Sequence, residues 1–217
     1  MAANKSKIIK KRYERIARYY DYLDAPMEAM VFKKYRQQVL SQVHGKVLEI
    51  GIGTGRNLEY YPTAGQKNPN GKLVNNFTAV DFSENMLKVA RERANKLQVP
   101  IDLYNMDVEQ LEFDDDVFDS AFSTCVFCSV PDPVRGLREV KRVLKPEGKL
   151  FMLEHVKSLR PLLGCIMEIL NPLPVMLWGA NINRDTVSNL EKAGFKISRE
   201  DNLSLDIVKF IEATKSV

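Results

Sequence analysis

Between Glu49 and Arg56 the chain reads Glu-Ile-Gly-Ile-Gly-Thr-Gly-Arg, which sets Gly51, Gly53 and Gly55 at alternate positions directly after the apolar run Lys46 to Ile50. A glycine turn at the end of a strand lets the main chain approach a ligand where a Cβ would collide. Dinucleotide dehydrogenases carry Gly-x-Gly-x-x-Gly, whose third glycine packs a helix on its strand. Here that position is Arg56, so the spacing argues against a nicotinamide cofactor. Two further acids stand at the ends of apolar runs, Asp81 after Phe77 to Val80 and Asp107 two residues beyond Ile101 to Asn105. An acid at the end of a second strand accepts both hydroxyls of a ribose, and Asp107 is placed to accept from an adenine amino group. Asp81 lies further from the glycines than the usual ~20 residues, and the turn-rich stretch Thr63 to Asn76 accounts for the excess.

Bases for moving a proton are few, because the chain has only two histidines. His44 precedes the first strand on the side away from the ligand edge and reads as structural. His155 follows the fifth strand on the edge where an acceptor would bind, and is the candidate base or acceptor-orienting group; a hydrogen-bonded structural role is the alternative. Cys125 and Cys128 form Cys-x-x-Cys after the fourth strand, but zinc needs two further ligands and redox chemistry needs a thioredoxin-like setting. They read as packing residues lining the cleft, and no metal is expected.

The elements that position these residues follow from periodicity. Ile9, Tyr13, Ile16 and Tyr20 recur at helical spacing among Lys and Arg, which predicts an amphipathic helix over 6–22, and a second helix is expected over 26–43. Strands are expected at Lys46 to Ile50, Phe77 to Asp81, Ile101 to Asn105, Phe118 to Ser123 and Lys149 to Glu154. The first should turn into a helix after its glycines. Helices are expected at Ser83 to Leu97, where Ser83 caps the amide near Met86, at Val134 to Leu144, and over 184–193. Lys196 to Arg199 and Ile207 to Ala213 are late strands. Strands alternating with helices predict an α/β fold, a Rossmann-like doubly wound and mostly parallel sheet with ligands at the strands' C-terminal edge.

At 217 residues the chain suits one domain. It divides into N-terminal lid helices over 1–43, a cofactor-binding core over 44–156, an acceptor-side insertion over 157–183, and a C-terminal helix and strands over 184–217. The net charge of +4 is uneven: residues 1–36 hold ten Lys/Arg against four Asp/Glu, or +6, leaving −2 for the rest. That basic helix reads as a solvated face or as a peripheral contact with a membrane surface. With no signal peptide apparent and three cysteines, the cytoplasm is the expected compartment, peripheral membrane contact included. The apolar stretch Leu162 to Trp178 is interrupted by Glu168, Asn171, Pro172 and Pro174, which suits a substrate-side cap or interfacial segment better than a membrane span.

The Glu-x-Gly-x-Gly-x-Gly pattern resembles motif I of class I S-adenosylmethionine-dependent methyltransferases. Further resemblance spans about residues 10–200. Phe127-Cys-Ser-Val-Pro-Asp-Pro133 and Gly136-Leu-Arg-Glu-Val-Lys-Arg-Val-Leu-Lys-Pro-Glu-Gly148 look like the small-molecule group that includes menaquinone and ubiquinone C-methyltransferases and phospholipid N-methyltransferases. Glu147 stands where that group more often has Gly, a conservative departure in an exposed turn. The resemblance implies S-adenosyl-L-methionine as cofactor, with Glu49 orienting its cationic methionine end; a strand-end Glu that caps an amide is the alternative. It also implies cofactor contacts from Phe82, Met86, Val108 and Thr124, and a lid carrying Tyr19 and Tyr20 that packs as core if it does not close. Trp178, Asn181 and Arg184 fall in a region that forms acceptor pockets in the family, converging with His155 above the methyl group; Asn183 alternatively caps the following helix. The implied acceptor is small or lipid-like: a quinol carbon, a phospholipid amine or a thiol. A non-catalytic cofactor-binding partner subunit is the alternative. RNA methylation is disfavoured, since neither an Asn/Asp-Pro-Pro-Tyr motif nor an RNA-binding module is present, and no nucleic-acid partner is expected. Oligomeric state is left open.

Overall fold

A computed structural model describes residues 2–28, 32–177, 179–204 and 206–215. Seven strands form one sheet in the order β3-β2-β1-β4-β5-β7-β6. They are β1 (Gly45–Ile50), β2 (Val74–Asp81), β3 (Asp102–Asn105), β4 (Phe118–Thr124), β5 (Leu144–His155), β6 (Phe195–Ser204) and β7 (Val208–Lys215). The first five run parallel, whereas β7 is antiparallel to both β5 and β6. Parallel strands are covered on both faces, which is why Val47, Leu48, Glu49 and Ile50 are all buried and β1 reads as a continuous run rather than an alternation.

The helices are α1 (Ala2–Ile16), α2 (Tyr20–Met27), α3 (Lys33–Leu40), α4 (Glu84–Leu97), α5 (Pro133–Val143), α6 (Pro161–Leu170), α7 (Pro172–Leu177) and α8 (Thr186–Lys192). On one face of the sheet Leu137, Val140 and Val143 of α5 and Leu190 of α8 pack on Leu48, Ala121 and Leu150. On the other face Val39 and Leu40 of α3 pack on Val47, Phe122 and Phe151, and Leu87, Ala90 and Ala94 of α4 pack on Ala79. Each side thus buries one apolar stripe, the arrangement of a doubly wound sheet. Ser83 caps α4 by accepting from the Met86 amide at 3.3 Å, as its position predicts.

Several local expectations are corrected. No α-helix follows the glycines: Arg56–Tyr60 is a 3-10 helix, and Tyr61 turns extended before Pro62. The helix over 6–22 divides into α1 and α2 around residues 17–19, and the helix over 26–43 shrinks to α3, with residues 29–31 outside the described residues. The Thr63 to Asn76 stretch is not plain loop. Val74 already belongs to β2, Lys67 bridges Leu73, and buried Asn68 donates to the Val43 carbonyl at 2.7 Å while accepting from the Asn70 and Lys72 amides. The fifth strand begins at Leu144, and its partner register jumps between Phe118 and Ser120 to accommodate Lys145 to Gly148 as a bulge. Within that bulge Glu147 takes a φ of 62°, so the departure from glycine is not conservative for the backbone. Asp185, not Asn183, caps α8, accepting from the Ser188 amide at 3.1 Å.

Candidate cofactor site

Gly51, Gly53 and Gly55 all adopt positive φ, which only glycine tolerates without strain. A Cβ on Gly51 would come within 2.7 Å of Val126 and one on Gly55 within 2.6 Å of Leu58, whereas a Cβ on Gly53 would meet no atom within 4 Å. The outer two glycines are therefore packing requirements. The middle one borders open space.

That space is a cleft at the C-terminal edge of β1, β2 and β4. Gly51, Ile52 and Gly53 form its floor, with Asp81, Phe82 and Met86 on the β2 side and Met106, Asp107 and Val108 after β3. Thr124, Cys125, Val126, Ser129, Val130 and Pro131 make the β4 wall. Ser6, Tyr13 and Tyr20 roof it from α1 and α2, and Phe32 and Arg36 close one end.

Asp81 ends β2 with its carboxylate clamped: Oδ2 accepts from the Gly53 amide and Oδ1 from the Ser83 amide, each at 2.9 Å. A carboxylate has about four lone-pair positions, so two remain for hydroxyl donors. Burial pushes its pKa up to about 6, against the pull of those two amides. Asp107 accepts from the Glu109 amide at 3.0 Å and from Ser6 Oγ at 2.8 Å. A nucleoside fits this arrangement: an open glycine floor, a buried acid for the ribose, a second acid beyond β3, and apolar flanks at Phe82, Val108 and Val130.

Glu49 is completely buried and is not on the cleft wall. It accepts from Asn57 Nδ2 at 2.5 Å and from the Tyr61 hydroxyl, and burial raises its pKa to about 7 against those bonds. Asn57 also donates to Thr124 Oγ1 at 3.0 Å, so Glu49 reaches the cleft only through Asn57 and Thr124. Gly55 likewise stands behind the floor. Tyr20 lies on the roof, but Tyr19 is 66% exposed and off the wall.

The acceptor-side residues are brought together, though not on the cleft. Asn181 donates its amide and Nδ2 to the Cys128 carbonyl at 2.9 and 3.0 Å. Arg184 Nη2 donates to the carbonyls of Cys128 and Val130 at 3.2 and 2.8 Å. Both therefore buttress the β4 wall from behind. His155 Nδ1 lies 3.1 Å from the Ile182 carbonyl. A carbonyl only accepts, so the proton sits on Nδ1 and Nε2 is the basic nitrogen, on a ring that burial keeps below its usual pKa. Trp178 lies outside the described residues. Of the cysteines, Cys125 lines the cleft at a φ of 57°, while Cys128 is buried beneath it with its thiol pushed up to about 12 by burial. No cluster of metal-ligating residues occurs among the described residues.

Residues that periodicity passed over hold the roof in place. Arg36 is 6% exposed; it binds Glu28 through Nε and Nη2 at 2.7 and 2.6 Å and reaches Asn57 and Thr124 through Nη1, both at 2.8 Å. Asp21 of α2 accepts from Thr54 at 2.7 Å, from Arg56 at 3.0 Å and from Arg93. Glu154, fully buried at the C-terminal end of β5, accepts from Ser123 at 2.8 Å and from the Val126 amide at 3.2 Å, fixing the start of the β4 wall. In the sequence these residues look like ordinary helix-surface charges and a strand-end acid. The pairing of residues 8 apart across a helix break has no periodic signature.

Residues 48–152 match the family described as a methyltransferase domain. A thiol S-methyltransferase of Rattus norvegicus is 32% identical over 195 residues, covering 82% of this chain and 75% of that protein. A demethylmenaquinone methyltransferase of Symbiobacterium thermophilum is 31% identical over 159 residues, covering 70% of this chain and 61% of that relative, less than two thirds of its length. A crystal structure of a Thermotoga maritima methyltransferase, described as a possible histamine N-methyltransferase, superposes with a TM-score of 0.68 at 23% identity over 95% of this chain and 99% of the other, which shows the shared fold. The family match runs from Leu48 on β1 to Met152 on β5, the strands that bracket the cleft, and the rat relative extends the likeness over most of the remaining chain. The chain is thus a class I S-adenosylmethionine-dependent methyltransferase.

Proposed function

We propose that this methyltransferase acts on a small or lipid-like acceptor, a quinol carbon, a phospholipid amine or a thiol. The observation that carries the reading is the composition of the cleft beyond the glycine floor. Tyr13, Tyr20, Phe32, Val126, Val130 and Pro131 give it an apolar wall and roof. That lining suits an acceptor with an apolar body. The two relatives above are named for a thiol and for demethylmenaquinone, acceptors of that kind.

S-adenosylmethionine supplies an electrophilic methyl group on a sulfonium that is already a good leaving group. The protein's own work is then to position, to exclude water and to take up a proton where the acceptor must lose one. Asp81 and Gly53 would hold the ribose end, Asp107 the base, and the Arg36–Asn57–Thr124 chain would close the far end of the cleft. Asn181 and Arg184 fix the wall against which an acceptor would lie. His155 orients the 181–184 segment through Ile182 and keeps Nε2 as its basic nitrogen.

The test is methyl transfer from labelled cofactor across a panel of quinols, amines and thiols. Transfer to at least one class is the expected result. Cofactor binding with no transfer to any of the three would identify a non-catalytic partner subunit instead.

A further inference from the structure

The segment after β5 buries little of its apolar surface. α6 and α7 are separated by Asn171 alone, which is itself helical, with φ −54° and ψ −35°. Along this nearly continuous rod Leu162, Ile166, Ile169, Leu173 and Met176 recur at intervals of four and three residues, and all are exposed, Leu162 by 77% and Ile169 by 71%. Spacing of four and three places them on one helical face. The opposite side is the one that packs. Gly164 and Met167 are buried, a Cβ on Gly164 would lie 2.7 Å from the Ser158 carbonyl, and Asn171 Oδ1 accepts from the Ile182 amide at 2.9 Å. The only charge between residues 161 and 177 is Glu168, which is paired with Lys157. An outward apolar stripe of this size on an otherwise folded chain marks a contact surface.

What covers it is indicated by the element beside it. α1 lies against α7 through Arg12, which donates to the Val175 carbonyl, and against Gly179, where a Cβ would come within 2.9 Å of Ile9. On α1 the residues Lys7, Lys11 and Arg15 are exposed at four-residue spacing, and Arg18 continues the series just beyond the helix. An apolar stripe on α6 and α7, with a cationic stripe on the neighbouring helix α1, is complementary to a surface that offers hydrocarbon beneath anionic headgroups. α1 also roofs the cofactor cleft through Ser6 and Tyr13, so the surface adjoins the site.

We propose that the chain docks on an anionic lipid bilayer, with the α6–α7 stripe in the interface and the basic residues of α1 over the headgroups. Among the described residues no helix is long and apolar enough to cross a membrane, so the contact is peripheral. This rests on the lipid-like acceptor reading only for its purpose. Docking would let an apolar acceptor pass from the bilayer into the cleft without crossing water.

The test is sedimentation of the full chain with phosphatidylcholine vesicles, with and without phosphatidylglycerol. Binding to the mixed vesicles is expected, weakened at least tenfold by the double substitution Ile169→Glu and Leu173→Glu, whose positions are exposed and should leave the fold intact by circular dichroism. Lys7→Glu with Lys11→Glu should weaken it by about fivefold or more per site, and raising the salt should do the same to the parent chain. No binding, or binding indifferent to both pairs of substitutions, would overturn the proposal. So would a dimer in light scattering that Ile169→Glu dissociates, because a second copy would then cover the stripe. The two readings fail separately. Vesicle binding without transfer to any lipid-like acceptor would sink the acceptor class, whereas transfer without vesicle binding would sink the docking.

Discussion

Ser6 Oγ donates to Asp107 Oδ2 at 2.8 Å, so the first helix is hydrogen-bonded to the carboxylate proposed to read the adenine amino group. A second clasp joins the Tyr13 and Ser129 hydroxyls at 2.8 Å across the cleft. Ser6 fills one acceptor position of Asp107 Oδ2 and stands on the cleft side of it, so a ligand that takes that position competes with Ser6. Ser6→Ala should therefore bind S-adenosylhomocysteine about twofold to tenfold more tightly, the range of one net hydrogen bond, as read by calorimetry. Weaker binding would make Ser6 a ligand of the cofactor rather than its competitor.

Burial raises three carboxylates, Asp81 to about 6 and Glu49 and Glu154 to about 7. Each holds its proton more tightly in the folded chain than in the unfolded one. Folding therefore takes up protons from about pH 7 down to the unfolded carboxylate range near pH 4. The stability these groups contribute grows as pH falls through that window and is lost as pH rises. His44 and His155, whose pKa burial lowers, pull the other way below about pH 6.5. The three carboxylates outnumber them, so the Tm of the cofactor-free chain should be higher near pH 5.5 than near pH 8. Burial alone would also raise Asp21 and Glu28, but hydrogen bonds and charge outweigh it, from Thr54, Arg93 and Arg56 at Asp21 and from Arg36 and Arg56 at Glu28. Their contribution is present above the unfolded range and is lost as pH falls below about 4. Cofactor affinity should move the other way from Tm and decline below about pH 6, because protonated Asp81 loses an acceptor position. A Tm that falls steadily from pH 8 to 5.5 would contradict the finding that burial outweighs the hydrogen bonds to these acids.

Glu147 sits in the β5 bulge at a φ of 62°, exposed and with its backbone in the left-handed region. Glu147→Gly should stabilise the chain by about 0.5–1 kcal/mol, the cost of left-handed backbone reduced by the extra freedom glycine has when unfolded. The check is a higher denaturant midpoint at unchanged slope. A lower midpoint would mean that the Glu147 side chain contributes more than its backbone costs.

Most of the scaffold was legible from periodicity. The five parallel strands, the helices α4 and α5 and the glycine turn fall within a few residues of where apolar runs and caps put them, because buried strands and capped helices write their constraints locally. The N-terminal roof was legible only as an amphipathic helix. Its function depends on Asp21 and Glu28 meeting Arg36, Arg56 and Arg93, contacts between residues 8 to 72 apart that no local pattern encodes. Asn181 and Arg184 were legible as polar groups near an acceptor edge, but not as donors to the carbonyls of Cys128 and Val130. That choice is set by how the insertion folds back on the β4 wall. The five-residue 3-10 helix after Gly55 was missed because a helix start reads alike whether it continues or stops, and Tyr61 and Pro62 decide that it stops.

His155→Ala removes the ring that meets the Ile182 carbonyl and the basic Nε2 with it. Turnover should drop by up to ~10²–10⁴ where the acceptor must lose a proton, and the acceptor KM should rise, while cofactor affinity stays within about twofold. His155→Gln should restore the KM but not the turnover if the ring acts as a base, and both if it only positions the segment. Loss of cofactor binding in His155→Ala would show that residues 181–184 support the cofactor wall alone.

The most direct measurement is calorimetric titration of the chain with S-adenosylhomocysteine, alongside its Asp81→Ala variant. The parent should bind with a dissociation constant no weaker than about millimolar, and the variant should be weaker by about 1.5–3 kcal/mol, the worth of hydrogen bonds to a charged group. Equal affinity in the two proteins would remove Asp81 from the site, and a parent chain that gives no heat and no thermal shift with the nucleoside but a shift with NAD would contradict the placement of the cofactor in this cleft.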